Sequence, residues 1–267
     1  NPYLTHPAVI AANISVIDEI SNGRSFVGIG RGAFLDFLNI KSEKPISAVK
    51  EAIEIIQNLS AGIKKPFHGE IFSLKEGAFF RWNADHRRIP VMVGTWGKKM
   101  STLAGKKADE VKASPLWNSE YARTLRSKID QGAISAGRVP SEIGLTLGVL
   151  TSIHNDSDTA KEYARNALAI YLPHLYPMTE VMGVPSNEID NVRKLSNLGK
   201  YSEASKLISD ETLNNFSLYG SPGEIRLKIT SLIDTAPVDK IEFGTPHGPN
   251  SFEAINLLKN EVIPWFS

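Results

Sequence analysis

The chain has 267 residues, 42% hydrophobic and 22% charged, which is ordinary globular composition and long enough for a large core. Lysine and arginine number 30 against 29 acids, a formal charge of +1, and no basic stripe alternates with aromatics, which argues against a nucleic-acid partner. Cysteine is absent, which excludes disulfides, thiolate metal sites and a cysteine nucleophile, and no apolar run reaches the roughly 18 residues of a membrane span.

No signal peptide is visible, so a reducing, cytoplasmic setting is expected. The opening NPYLTHP reads as a loop in mid-course, so an N-terminal part is expected to be missing. Residues 7–21 place Val9, Ile10, Ile14, Ile17 and Ile20 on one face of a helix that Pro7 starts and Gly23 stops. A buried strand follows over 25–29, carrying Ser25, Phe26, Val27 and Ile29. Gly28, Gly30 and Gly32 then clear side chains from its end, so that another group can approach the backbone. Pro45 opens a second helix, with Ile46, Val49, Ile53, Ile56 and Leu59 inward and Lys50, Glu51 and Glu54 outward.

Residues 67–72 read as a short hairpin. An apolar strand over 89–93 ends in Gly94, and 95–100 lead into a helix through Ala104. A short strand over 109–112, a helix over 120–137, a long strand over 143–153 and a helix over 157–171 follow, the last with Glu162 and Arg165 outside. Residues 172–210 hold short helices near 187–195 and 202–207 and no strand, and read as an insertion. Ser221-Pro222-Gly223-Glu224 is a capping box that starts a helix. A strand over 240–243 ends in Gly244, and Asn250 to Glu253 opens a last helix to Val262.

Five strands alternating with helices predict an α/β fold with a parallel sheet. A doubly wound sheet and a (β/α)8 barrel both fit that order. GIGRGA at 28–33 meets the dinucleotide pattern, yet the next helix waits until Pro45, and no strand ending in an acid follows about 20 residues on. A barrel instead brings every glycine-ended strand to one C-terminal face, where barrel active sites sit. Eight units take about 250 residues, or about 30 each. Five strands and an insertion already use the whole chain, so strands one to three are expected before Asn1.

Four stretches then stand out: NPYLTHPAVIAA from Asn1, GRSFVGIGRG from Gly23, PVMVGTWGKKMSTLAGKKADEV from Pro90, and IEFGTPHGPNSFEAINLL from Ile241. In this order they resemble segments of the luciferase-like flavin and deazaflavin oxidoreductases, most of all the branch containing methylenetetrahydromethanopterin reductases. The resemblance implies a single TIM-type (β/α)8 barrel domain over 1–267, with the 172–210 insertion after strand seven and strands one to three absent. It also implies a homodimer, coenzyme F420 as cofactor with FMN as the alternative, and hydride transfer with a small-molecule substrate, methylenetetrahydromethanopterin or a related reduced pterin. An FMN-dependent monooxygenase and a non-catalytic flavin-binding protein are the competing readings. The chain departs from the pattern at Thr5, where an arginine often precedes the histidine, and at Ala33 and Phe34, where many relatives carry an acid.

The resemblance places the cofactor against Asn1, Gly28, Gly30, Gly94, Thr95, Gly97, Lys98, Lys99, Met100, Ala113 and Ser114. The residues at 94–100 support it independently, because a strand end feeding glycines into a helix N-terminus favours an anion, and Lys98 and Lys99 add charge. A plain turn with solvated lysines is the alternative. Arg31 and His6 are the candidate catalytic residues. Arg31 pairs with a cofactor or substrate anion, or with Asp36 or Glu43. His6 orients the cofactor or donates a proton, or it bonds the start of its helix. Trp96 and His247 are candidate substrate residues, with Trp96 stacking on a ring or capping the barrel. His68, His86, His154 and His174 show no ligand spacing, so no metal is expected. Thr151 and Ser152 form no hydrolase motif.

Overall fold

The computed structural model describes residues 1–82 and 85–266. The chain divides into two compact units, residues 1–112 with 127–144, and residues 113–126 with 145–267. Both are built of parallel strands and helices, so the α/β class expected from the sequence is the observed one.

The first unit opens with α1 (Pro7–Ile20), β1 (Val27–Ile29), α2 (Pro45–Ser60) and the hairpin strands β2 (Phe67–His68) and β3 (Ser73–Leu74). It continues with β4 (Val91–Gly94), α3 (Lys98–Lys107) and β5 (Glu110–Ala113). β1, β4 and β5 pair in parallel, with Val27 beside Val91, Ile29 beside Val93 and Val93 beside Val111. These valines and isoleucine are all buried, which closes one face of the strands, while Gly28 between them is exposed on the other. The second half of α4 (Ser119–Ser135) crosses α3 closely. A methyl on Gly105 would lie 2.1 Å from the Ile129 carbonyl oxygen, and one on Gly132 equally close to that of Thr102.

Two helix faces differ from the expected ones. In α1 the buried residues are Pro7, Ala11, Ile14, Ser15 and Asp18, whereas Val9, Ile17 and Ile20 are exposed. The cause is Asp18, which accepts a 2.7 Å hydrogen bond from the Ser25 hydroxyl and pairs with Arg87 Nε at 2.9 Å. With both oxygens engaged, this carboxylate turns inward and the isoleucines turn out. In α2, Val49, Ile53, Ile56 and Leu59 are buried as expected, and Ile46 is not. Glu51, expected outward, is buried. Its oxygens accept the backbone N–H groups of Glu70, Ile71 and Phe72 at 2.7, 2.9 and 2.9 Å, so it holds the turn of the hairpin. β1 is also shorter than the 25–29 strand of the sequence reading. Ser25 is drawn off to Asp18, and Phe26 lies exposed outside it.

The second unit holds β6 (Gly144–Ile153), α5 (Ser157–Tyr171), α6 (Met178–Val181), α7 (Ser186–Ser196), α8 (Tyr201–Ser205) and α9 (Asp210–Phe216). β7 (Ser217–Gly220), α10 (Pro222–Thr235), β8 (Lys240–His247) and α11 (Ser251–Leu257) complete it. β6 carries β8 along one edge, from Thr146 beside Lys240, and β7 along the other, from Leu150 beside Ser217. Val149, Ile153, Leu218, Ile225, Ile229 and Leu258 form its core. Residues 172–210 hold short helices and, among the described residues, no strand. β7 is the strand that sequence reading missed: it is four residues long, too short for a period to show. β8 does not end at Gly244. The strand runs on to His247, and Gly244 serves pairing, since a methyl there would press on the Val149 carbonyl oxygen at 2.7 Å.

The capping box at the start of α10 forms as expected. Glu224 accepts the Ser221 N–H and the Ser221 hydroxyl, both at 2.7 Å, and the Ser157 hydroxyl as well. These donors hold its carboxyl down to about 2, Ser157 most strongly. Asp210 is bridged by Lys161 and Arg165, which draws Arg165 half-way in rather than leaving it outside.

Two expectations follow from these carboxylates. Glu51→Ala leaves three N–H groups without their acceptor and should lower unfolding free energy by about 2–4 kcal/mol in urea titrations. Glu224 is charged in the folded chain well below its unfolded pKa, so its contribution is full above that value and lost as pH falls through 4.5 towards about 2. The stability difference between the wild type and Glu224→Gln should therefore be constant near neutrality and shrink across that acid window.

Candidate active site

Strand alternation lays out the floor of the site. Gly28 stands on the open face of β1, beside Met92 of β4, and a Cβ placed on it would find nothing within 4 Å. Gly30, just past the strand, comes so near β4 that a methyl would lie 3.0 Å from the Gly94 carbonyl oxygen. Gly32 has φ +87°, a conformation only glycine takes without strain, and its added Cβ would strike the Asn1 side chain at 2.9 Å. Asn1 is fixed there by accepting the Tyr3 and Leu4 N–H groups on Oδ1, each at 3.1 Å. Asn1, Gly30, Gly32 and Gly94 thus gather at one end of the β1–β4 pair, with Gly28 one pleat earlier.

From Gly94 the chain turns into α3. Thr95 donates its N–H to the Lys112 carbonyl and accepts that of Gly97 on Oγ1, both at 2.9 Å. The first helical bond runs from the Ser101 N–H to the Gly97 carbonyl at 2.9 Å, and no side chain caps the helix. The N–H groups of Lys98, Lys99 and Met100 therefore have no carbonyl within the helix. Both lysine side chains are exposed and Met100 is buried, which pins the turn. Free N–H groups, the positive end of the helix dipole and two ammonium groups together suit an anion. Trp96 is half-buried in the same turn.

Arg31 is exposed and makes no ion pair among the described residues, with Asp36 and Glu43 included. Its electrostatic neighbour is Tyr3, which sequence reading did not single out. The Tyr3 hydroxyl donates to the Glu43 carbonyl at 2.6 Å. Burial pushes the Tyr3 phenol up, and Arg31 pulls it back down. Only an aromatic in an otherwise polar opening loop could have drawn attention to it.

His6 is the N-cap of α1. Its Nδ1 accepts the Ala8 N–H at 3.1 Å, and its ring meets Phe72 edge-on with 5.4 Å between centroids. That bond puts the ring proton on Nε2. Ala113, Ser114 and His247 fall in the second unit. Ala113 is the buried last residue of β5, and Ser114 follows it, before the cis peptide to Pro115. His247 ends β8 with φ +69° and its Nε2 lies 3.0 Å from the Phe243 carbonyl oxygen.

Comparison with known proteins supplies the context for this geometry. The family model for luciferase-like monooxygenases matches residues 1–238. The 5,10-methylenetetrahydromethanopterin reductase of Archaeoglobus fulgidus is 31% identical over 99% of this chain and 80% of that protein. The reductase of the same name from Methanolobus tindarius is also 31% identical, over 98% of this chain and 80% of its own length. The solved structure of the coenzyme F420 dependent tetrahydromethanopterin reductase from Methanopyrus kandleri superposes with a TM-score of 0.89 at 27% identity, covering 100% of this chain and 81% of that one.

The glycines separate space from strain in a way that can be measured. Gly28→Ala should leave stability within about 1 kcal/mol of the wild type, since its methyl meets nothing. Gly32→Ala should cost about 1–2 kcal/mol from the left-handed backbone alone. Thermal denaturation of the two variants side by side reads the difference.

Proposed function

The chain belongs to the luciferase-like monooxygenase family, and from that premise we propose that it is a coenzyme F420-dependent oxidoreductase acting on methylenetetrahydromethanopterin or a related reduced pterin. One observation carries the reading: identity near 30% runs along almost the whole chain to reductases of that name. The site fits the cofactor. Gly28 leaves clear space on an open strand face for a flat ring, and the start of α3 offers N–H groups and Lys98 and Lys99 to an anion. When bound, F420 supplies or accepts the hydride.

The protein's own part is binding and placement. Gly28, Gly30 and Gly94 let the ring lie against backbone. Lys98, Lys99 and the first N–H groups of α3 hold its phosphate, and Asn1, Thr95, Gly97 and Met100 line the same part of the first unit. Arg31, with no protein anion of its own, pairs with a carboxylate or phosphate on cofactor or substrate. His6 keeps Nε2–H available for donation while Nδ1 holds α1. Trp96 faces substrate in this reading. The strands belong to a TIM-type (β/α)8 barrel, supported by the TM-score of 0.89.

A homodimer is part of the same proposal. The outer face of α1 carries Val9, Val16, Ile17 and Ile20, all exposed, at the spacing of one helical stripe. A second copy of the chain would cover it.

Equilibrium titration with F420 and with FMN, read from each chromophore's spectrum, tests the cofactor. F420 should bind and support hydride transfer to methylenetetrahydromethanopterin. Lys98→Ala combined with Lys99→Ala should weaken it roughly tenfold, about 1.4 kcal/mol. Tight FMN binding with oxygen-dependent turnover would overturn the reading in favour of a monooxygenase. Hydride transfer absent despite F420 binding would favour a non-catalytic binding protein. For the dimer, Ile17→Lys with Ile20→Lys should shift sedimentation velocity from dimer to monomer without loss of helical circular dichroism.

A further inference from the structure

β4 is the central strand of the first unit, with β1 on one edge and β5 on the other, and its alternate residues meet two different surroundings. Val91 and Val93 are buried, together with Val27, Ile29 and Val111 beside them. Met92, between the two valines, stands on the opposite face and is only half-buried. A parallel sheet is ordinarily covered on both faces, and Met92 is where this one lies open.

Its neighbours say what kind of group fits there. Met92 is in register with Gly28 of β1, whose added Cβ would find nothing within 4 Å, and with Glu110 of β5. Two residues on, Gly94 is exposed, and a Cβ there would meet only the Ile29 carbonyl oxygen, at 3.9 Å. Lys112 lies beside Gly94. Of the residues that β1, β4 and β5 place on this face, Gly28, Met92, Gly94, Glu110 and Lys112, Met92 alone has an apolar side chain. The glycines leave room on one side of it, and the charged residues stand on the other, in β5. An unbranched thioether is soft and polarisable, adapts to what lies against it and makes favourable contact with aromatic rings. A flat heterocycle lying over Gly28 and Gly94 would have Met92 as its apolar side-chain contact from the strands.

We infer that Met92 is a cofactor-contacting residue, its thioether lying against the F420 ring beside the glycine floor and fixing how the ring is seated. The inference rests on the F420-dependent reading above and adds to it the side chain that meets the ring. Met92 holds the ring in place and moves neither proton nor hydride.

Peroxide footprinting of the full wild-type chain, with and without saturating oxidised F420, tests the contact. Hydrogen peroxide transfers one oxygen atom to a methionine sulfur and leaves as water, and mass spectrometry reads the sulfoxide residue by residue. Of the four methionines, Met100 and Met178 are buried, whereas Met92 and Met182 are both half-buried, so Met182, in the second unit, is the internal control. F420 should slow sulfoxide formation at Met92 by about tenfold or more and leave that at Met182 within about twofold. In a spectral titration Met92→Ala should weaken F420 binding about three- to tenfold, and Met92→Leu, of similar volume, should stay within about twofold of the wild type. Equal oxidation of Met92 with and without bound F420 would overturn the inference. So would a Met92 that stays unoxidised in the free chain under peroxide that converts Met182, or unchanged F420 affinity in Met92→Ala. Failure of the wild type itself to bind F420 would instead overturn the reading beneath it, and the titration separates the two failures.

Discussion

The backbones of β1 and β4 end side by side at Gly30 and Gly94, where one methyl would come within 3.0 Å of a carbonyl oxygen, and that approach governs the rest of the first unit. Bringing two strand ends so close needs glycine on the approaching side, and it leaves main chain as the surface. Gly28, one pleat earlier, extends the same bare surface with nothing above it. The segments that meet this floor all respond to it. Asn1 packs where Gly32 leaves room, Thr95 folds the β4 end into α3, and α3 arrives with its first N–H groups uncapped. A flat, anionic group is the ligand chemistry such a floor and helix start admit together.

Holding that floor falls to carboxylates turned inward. Asp18 fixes the end of α1 to Ser25 and Arg87, and Glu51 closes the hairpin turn with three N–H groups. In the second unit Glu224 closes the capping box of α10, and Asp210, at the start of α9, is bridged to Lys161 and Arg165 of α5. Each acid meets donors or a cation, which offsets the cost of a buried or half-buried charge. The order of importance differs between units. Glu51 and Asp18 are buried, whereas Glu224 and Asp210 lie nearer solvent.

Local rules carried much of this into the sequence. Proline at the first turn marked α1 and α2, glycine past the end marked α1 and α4, the capping box marked α10, and the glycines marked the strand ends at β1 and β4. What failed to show was long-range pairing. Nothing near Asp18 or Glu51 in the chain tells that Arg87, or the 70–72 backbone, will come to meet them, so Glu51 reads as an outward residue and the isoleucines of α1 as the inward face. β7 was invisible because four residues give no period, and β8 read short because Gly244 looked like a terminus when it is a point of close pairing. The candidate glycine and lysine positions were picked out by local chemistry alone, a strand end and a helix start. His6 resolves to a helix cap by geometry that sequence allows but does not require, and Tyr3 gave no signal beyond being an aromatic in the opening loop. The ion pair weighed for Arg31 with Asp36 or Glu43 does not form, because the loop between them is wound into a turn of its own.

Amide hydrogen exchange with and without F420 reads the central claim at the level of single segments. The account predicts slowed exchange at 28–32, along the glycine floor, and at 97–100, where the first N–H groups of α3 would gain an acceptor. Protection confined to other segments, with these two unchanged at saturating F420, would contradict it.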